Sequence, residues 1–191
     1  MTQKPPLLDL VRIRHLRQPD IPGRVAAMSE PKARENIGSL PALYNASEKT
    51  AFFTGLVEGQ DPERVELVVT KRDSTTVAYS QLSDIDWTHG TCEIVVLALP
   101  EFRFGFGLLA LLKTYDFAFG TLNLRSVLND VNDGNRMMSS REVLLGKAQV
   151  IMPNAHFTEG RVRDSFQWTE TRAEIAARFG FELPGQEAVA L

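Results

Sequence analysis

The sequence predicts an α/β fold built on a mixed, mostly antiparallel sheet of about seven strands. Three observations predict it. Between Arg64 and Leu99, three β-rich runs follow one another through short polar turns, the pattern of an antiparallel meander. From Thr91 to Val131 come a strand, a glycine turn, an amphipathic helix and another strand, which predicts a parallel pair joined by a right-handed crossover. From Gln149 to Trp168, two strands flank Thr158-Glu159-Gly160, which reads as a closing hairpin.

In chain order, Leu8 to Leu16 alternates and predicts a first strand. Pro19, Pro22, Pro31 and Pro41 then limit residues 18–43 to short helical pieces. Asn45 and Glu48 form a capping box for a helix from about Ser47 to Glu58 with Phe52, Phe53, Leu56 and Val57 on one side, ended by Gly59. Strands follow at Arg64–Lys71, Thr75–Ile85 and Thr91–Leu99, with Arg72-Asp73-Ser74 as a turn. The next helix should bury Leu108, Leu112, Tyr115 and Phe119, which share one helix face. A strand at Ser126–Val131, turn residues Asn132-Asp133-Gly134-Asn135 and a helix at Arg136–Leu145 lead into the hairpin. Thr171 and Glu174 cap a last short helix to about Phe179, and the tail from Leu183 should fray.

The chain has 191 residues, 43% of them hydrophobic and 24% charged, and a net charge of −3. That suits one domain, 1–191, with a substantial core. The charge gives no strong pull toward nucleic acid or a membrane. A lone cysteine, Cys92, allows no internal disulfide, which fits a cytoplasmic location. No signal peptide is expected at Met1–Pro6, and no apolar run is long enough to span a bilayer. His15, His89 and His156 lack ligand spacing, so no metal site is expected. Gly-x-Ser-x-Gly and the P-loop pattern are both missing.

The chemistry concentrates between Cys92 and Gly120. A buried strand, a turn with Gly105 and Gly107, and a helix N-terminus make a device for holding an anion. Glycines there let the backbone approach a phosphate because no Cβ intervenes. Glu93 is a charged residue in an otherwise apolar strand. It is either a buried base, able to take a proton from an amine directly or through water, or a residue of a solvated sheet face. Ser80, Asp84 and Asp86 either orient an amine or are edge and turn residues. Cys92 points opposite to Glu93 and reads as a small buried apolar residue.

Glu93-Ile94 followed by Pro100-Glu101, Arg103, Gly105-x-Gly107 and an apolar helix resembles the GNAT acyltransferase superfamily, and within it the branch that acetylates ribosomal-protein N-termini and small amines. Tyr79 to Asp86, and Gly160-Arg161-x-Arg163-Asp164 with Trp168, resemble the same branch, so the likeness covers most of the chain. Two departures stand out. The family pattern Arg-x-x-Gly-x-Gly is one residue short at Arg103-Phe104-Gly105-Phe106-Gly107, and the family's Leu-Gly-Phe ending reads Leu145-Gly146-Lys147.

The resemblance implies a GNAT-like sheet with helices on both faces and acyl transfer, most simply acetyl, from acetyl-coenzyme A or another acyl-coenzyme A to an amine, with no metal. It implies that backbone N–H groups of Leu97 and Leu99 pair with the pantetheine, and that Arg103, Gly105, Gly107 and Leu108 hold the pyrophosphate. Glu93 would be the base. Two alignments of the later turn stay open: one gives Asn135 beside the pantetheine and Glu142 as general acid, the other Asn132 and Ser139. Arginine suits the phosphates because its fork binds oxygens in pairs, which draws attention to Arg103 and Arg136. A second reading is a degenerate member that does not use acetyl-coenzyme A, serving as a binding module or taking its donor from an aminoacyl-tRNA; Phe104, Phe106 and the short loop motivate it. The expected partners are otherwise an acyl-coenzyme A and an amine acceptor, with a homodimer compatible with the sequence.

Overall fold

A computed structural model of the chain describes residues 6–36, 45–59, 61–103, 105–135, 150–158 and 160–179. The strands are β1 (Val11–His15), β2 (Val65–Lys71), β3 (Thr76–Asp86), β4 (Thr91–Ala98), β5 (Ser126–Asn132), β6 (Val150–Thr158) and β7 (Arg161–Thr171). The helices are α1 (Ile21–Ser29), α2 (Pro31–Asn36), α3 (Ala46–Glu58), α4 (Phe106–Asp116) and α5 (Arg172–Phe179). One mixed sheet runs in the order β1-β2-β3-β4-β5-β7-β6, the α/β architecture that the sequence predicts. Leu8 to Leu10 is not strand: Pro6–Leu10 winds into a 3-10 turn that buries Leu8, and β1 starts at Val11. The helix expected at Arg136–Leu145 lies outside the described residues, as do Arg136, Ser139 and Glu142.

The chain forms two compact units. The first comprises Met1–His15, Pro62–Val127 and Glu170–Leu191. Strands β1 to β4 are antiparallel neighbours there, with Leu67, Leu82 and Cys92 on the face that α4 covers. Leu112, Tyr115 and Phe119 are buried as expected, and the Tyr115 and Phe119 rings stack 6.0 Å apart. Leu108 is not in the core; it is 46% exposed. The helix rests on its small residues instead. Gly107, Ala110, Thr114 and Ala118 form the buried stripe, and a Cβ on Gly107 would stand 3.4 Å from the Ala98 Cβ. Small side chains let the helix approach the sheet and turn Leu108 outward. Past Asp116 the helix widens into a π turn, Phe117–Thr121, before β5.

α5 closes this core with Ile175, which is fully buried. Thr171 N–H donates to Glu174 Oε2 at 2.7 Å, the expected cap. Tyr115 OH donates to Glu170 Oε2 at 3.2 Å, and Arg178 pairs with the other oxygen of that carboxylate.

The second unit comprises Leu16–Asp61 and Leu128–Thr169. The capping box at α3 forms as expected, with Asn45 and Glu48 exchanging 2.9 Å hydrogen bonds. Phe53 is buried under the Arg24 guanidinium, whereas Phe52 is 47% exposed, so the apolar side of α3 is narrower than its four residues suggest. Strands β6 and β7 form the expected hairpin.

Candidate active site

Strand β4 enters the candidate site with its side chains sorted by register. Ala98, Val96 and Ile94 lie opposite Ala78, Ser80 and Leu82 and share the face covered by α4. Leu97, Val95 and Glu93 lie opposite Tyr79, Gln81 and Ser83 on the other face. Glu93 is half-buried there, on the same face as the buried Leu97. Cys92, on the α4 face, is buried, and burial followed by the charge of Glu93 pushes its thiol up to about 12. It stays protonated at neutral pH and cannot act as a thiolate nucleophile.

Ser80 is buried on the α4 face, opposite in orientation to Glu93. Asp86 fastens the turn into β4: its Oδ1 accepts from Thr88 and His89 N–H at 2.8 and 2.9 Å, and its Oδ2 lies 2.6 Å from His89 Nδ1. The His89 backbone bond foremost holds the Asp86 carboxyl below its ordinary range. Ser80 and Asp86 therefore belong to the core and to a turn. Asp84 is exposed at a positive φ of 50°.

The backbone phase of β4 corrects one expectation. Leu99 N–H donates to Val77 O at 3.0 Å, and Leu99 O accepts from Phe102 N–H at 2.9 Å. Both polar groups of Leu99 are engaged. Backbone groups of a strand alternate sides, so Leu97 N–H also points to β3. The N–H groups of Val96 and Ala98 point away from β3, toward the side of β5, which is where a pantetheine would have to pair. Side-chain patterning gave no signal for that phase.

After β4, Pro100–Phe102 makes a 3-10 turn and Arg103 stands half-exposed at its end. Gly105 caps α4 at φ 84° and ψ −52°, a backbone that L side chains rarely adopt, in open space where an added Cβ would meet nothing within 4 Å. Leu109 N–H closes the first helical bond, to Gly105 O at 3.2 Å. The N–H groups of Phe106, Gly107 and Leu108 precede that bond, which makes them the donors of the helix N-terminus. Phe106 does not fill the turn: it packs inward with Phe102, ring centroids 5.6 Å apart, against a core that contains Val69, Val77 and Ala110. Lys71 Nζ sits 4.4 Å from the Phe102 ring. Phe104 is outside the described residues.

In the second unit, Asn132 is buried and its amide is engaged at both ends. Its Oδ1 accepts from Gly134 N–H at 2.9 Å, and its Nδ2 donates to Glu35 O at 3.3 Å. Arg163 braces the same turn, with 3.2 Å to Asp133 and 3.5 Å to Glu35. An added Cβ on Gly134 would come 2.7 Å from the Arg163 Cζ, so glycine is what lets the guanidinium lie on the turn. Asn135 is half-buried, and its N–H donates to Asn132 O.

A family model described as an acetyltransferase (GNAT) domain matches residues 11–144. The chain belongs to the GNAT acetyltransferase family. No curated protein matches the sequence. Solved structures do match the fold. A spermidine N-acetyltransferase from Vibrio cholerae in complex with CoA and spermine superposes with a TM-score of 0.76 at 17% identity, over 87% of this chain and 98% of that one. A dodecameric form of the Vibrio cholerae spermidine enzyme gives 0.69 at 18% identity, over 88% and 98%. A Vibrio cholerae spermidine/spermine N-acetyltransferase with manganese ions gives 0.70 at 16% identity, over 91% and 98%. At these identities the likeness is one of fold. Among the described residues no helix is long and apolar enough to cross a membrane.

Proposed function

We propose that this GNAT domain, taken as residues 1–191, transfers an acetyl group from acetyl-coenzyme A to a primary amine. One observation carries the reading: β4 leads through Arg103 and a positive-φ Gly105 into α4, whose first N–H groups open where nothing stands within 4 Å of a Gly105 Cβ. That donor set suits a pyrophosphate. Arg103 and the N–H groups of Phe106, Gly107 and Leu108 would hold it, and Val96 and Ala98 would pair with the pantetheine. When bound, the coenzyme supplies an acyl group activated as a thioester. Glu93 takes the proton that an ammonium acceptor must lose before it can attack, directly or through water. Asn132 and Asn135 are the two candidates for the contact beside the arm, as the two alignments of that turn give them.

The likeness to spermidine enzymes supports a small polyamine as acceptor, whereas the sequence motifs resemble the ribosomal-protein branch; acetylation of spermidine against an N-terminal peptide separates the two. The short glycine loop remains the feature that favours a member without coenzyme A. Against it, Phe106 lies in the core rather than in the turn.

Calorimetric titration with acetyl-coenzyme A tests the reading. The native chain should bind, and Gly105→Asp should weaken binding by at least about 100-fold, through backbone strain and a carboxylate set against the phosphates. Equal affinity in a folded Gly105→Asp chain would show that the turn is only structural.

A further inference from the structure

Strand β1 is the first strand of the sheet, and among the described residues no strand pairs with its outer edge. The hairpin that follows β2 fixes which polar groups stand on that edge. Lys71 N–H donates to Thr75 O at 2.8 Å and Lys71 O accepts from Ser74 N–H at 3.1 Å, so the backbone groups of Lys71 face β3. Backbone groups alternate sides along a strand, so those of Thr70 face β1, where Thr70 lies opposite Arg12. Arg12 therefore uses its N–H and C=O on β2, and Val11 and Ile13 point theirs outward. The same alternation sends His15 O outward, and there it accepts from the Arg14 side chain at 3.1 Å.

Val11, Arg12 and Ile13 line a cleft of about 610 Å³, which Phe117 and Thr121 of the π turn wall on the helix side. A strand edge with outward N–H and C=O groups beside an open cleft is a template for an extended peptide. The charges say which peptide. Lys113 and Asp116, on the helix wall, pair with each other at 3.3 Å. Arg72 donates from Nε to Asp9 O at 2.7 Å, which sets its positive charge beside the one other carboxylate of the cleft. The exposed Arg12 is left as the net charge, and Arg14 stands on the same face of β1. Residues opposite each other in paired strands share a face, where opposite charges stabilise and like charges repel. An added strand would therefore carry acidic side chains beside Arg12 and Arg14. Its alternate side chains, on the face of Val11 and Ile13, would meet Phe117 and should be apolar. The two arginines repel β1 of a second copy, so the edge suits an acidic strand and not its own image. The five residues of β1 span about 17 Å, which sets the length of the segment.

We propose that the outer edge of β1 binds an extended peptide of alternating acidic and apolar residues, which adds to the sheet as a further strand. Fluorescence anisotropy on the full chain tests it, with a labelled, end-blocked peptide of about seven residues that alternates valine and glutamate. The native chain should bind it with a Kd of about 100 µM or tighter. The same peptide with lysine in place of glutamate should bind at least about 10-fold more weakly, and Arg12→Glu should reverse that preference. Arg12 is exposed, so this variant should keep the native circular dichroism. A glutamate peptide with proline at its centre cannot complete the ladder and should lose binding, which separates strand addition from plain attraction between charges. Gly105→Asp should bind the peptide as the native chain does, because the cleft does not include the start of α4. No binding by the native chain, equal binding of the proline peptide, an unchanged preference in Arg12→Glu, or loss of binding in a folded Gly105→Asp chain would each overturn the proposal.

Discussion

Adjacent residues in β4 show how strand geometry divides chemistry. Cys92 faces the core under α4, and its thiol is driven up to about 12. Glu93, one position on, faces the opposite side, half-buried and across from Ser83. Only the second is proposed to exchange protons with an acceptor. If Glu93 is the base, Glu93→Gln should lower the rate by roughly 100-fold or more, the usual share of general base catalysis, with coenzyme A affinity almost unchanged. Steady-state rates across pH and a binding titration check this together. A mutant whose pH–rate profile matches the native one would remove Glu93 from the mechanism. The same residue-level reading places Asn132 in its turn, where its amide accepts from Gly134 and donates to Glu35.

The strand–turn–helix element shows how the N-terminus of α4 is set. Gly105 makes the bend through its positive φ, and the Phe102–Phe106 pair anchors both sides of the turn to the core. If the loop is one residue short of the family pattern, the cost falls on the convergence of N–H groups. A charge-assisted hydrogen bond to phosphate contributes on the order of 1.5–3 kcal/mol, so one donor out of line would weaken binding roughly 10- to 100-fold. Inserting a glycine between Arg103 and Phe104 and measuring affinity for acetyl-coenzyme A decides the matter. Tighter binding is the expected result if the native loop is degraded. Equal or weaker binding would mean that the short loop already has a working geometry.

At the scale of the whole molecule, the first unit gathers three separated stretches of chain, and α5 is its last piece. Ile175 enters the core beneath α4 only after the chain has passed through the whole second unit. Ile175→Ala should therefore destabilise the protein by about 2–5 kcal/mol, the usual cost of a cavity at a buried aliphatic site. Thermal unfolding followed by circular dichroism should show a fall in Tm of roughly 5–15 °C for a chain of this size. A change of a degree or less would mean that α5 is peripheral to the core. The Glu170 carboxylate, held between Tyr115 and Arg178, points the same way, since a buried charge persists where its partners are in place.

Much of this protein was legible in its sequence, because side-chain periodicity is a local property. Alternation located the meander, the capping boxes at Asn45 and Thr171 marked two helix starts, and Gly105 marked the turn. The opposite orientations of Cys92 and Glu93 followed from strand geometry alone. Three things required the tertiary structure. The helical stripe of Gly107, Ala110, Thr114 and Ala118 is invisible to a count of large apolar residues, so periodicity puts Leu108 inside whereas it lies outside. The choice between Leu97/Leu99 and Val96/Ala98 as outward donors depends on which edge of β4 is taken by β3, and the bond from Leu99 to Val77 fixes it. The bracing of the Asn132 turn by Arg163 joins residues about thirty positions apart, and no local pattern records such a contact because its free energy is realised only when the chain has brought them together.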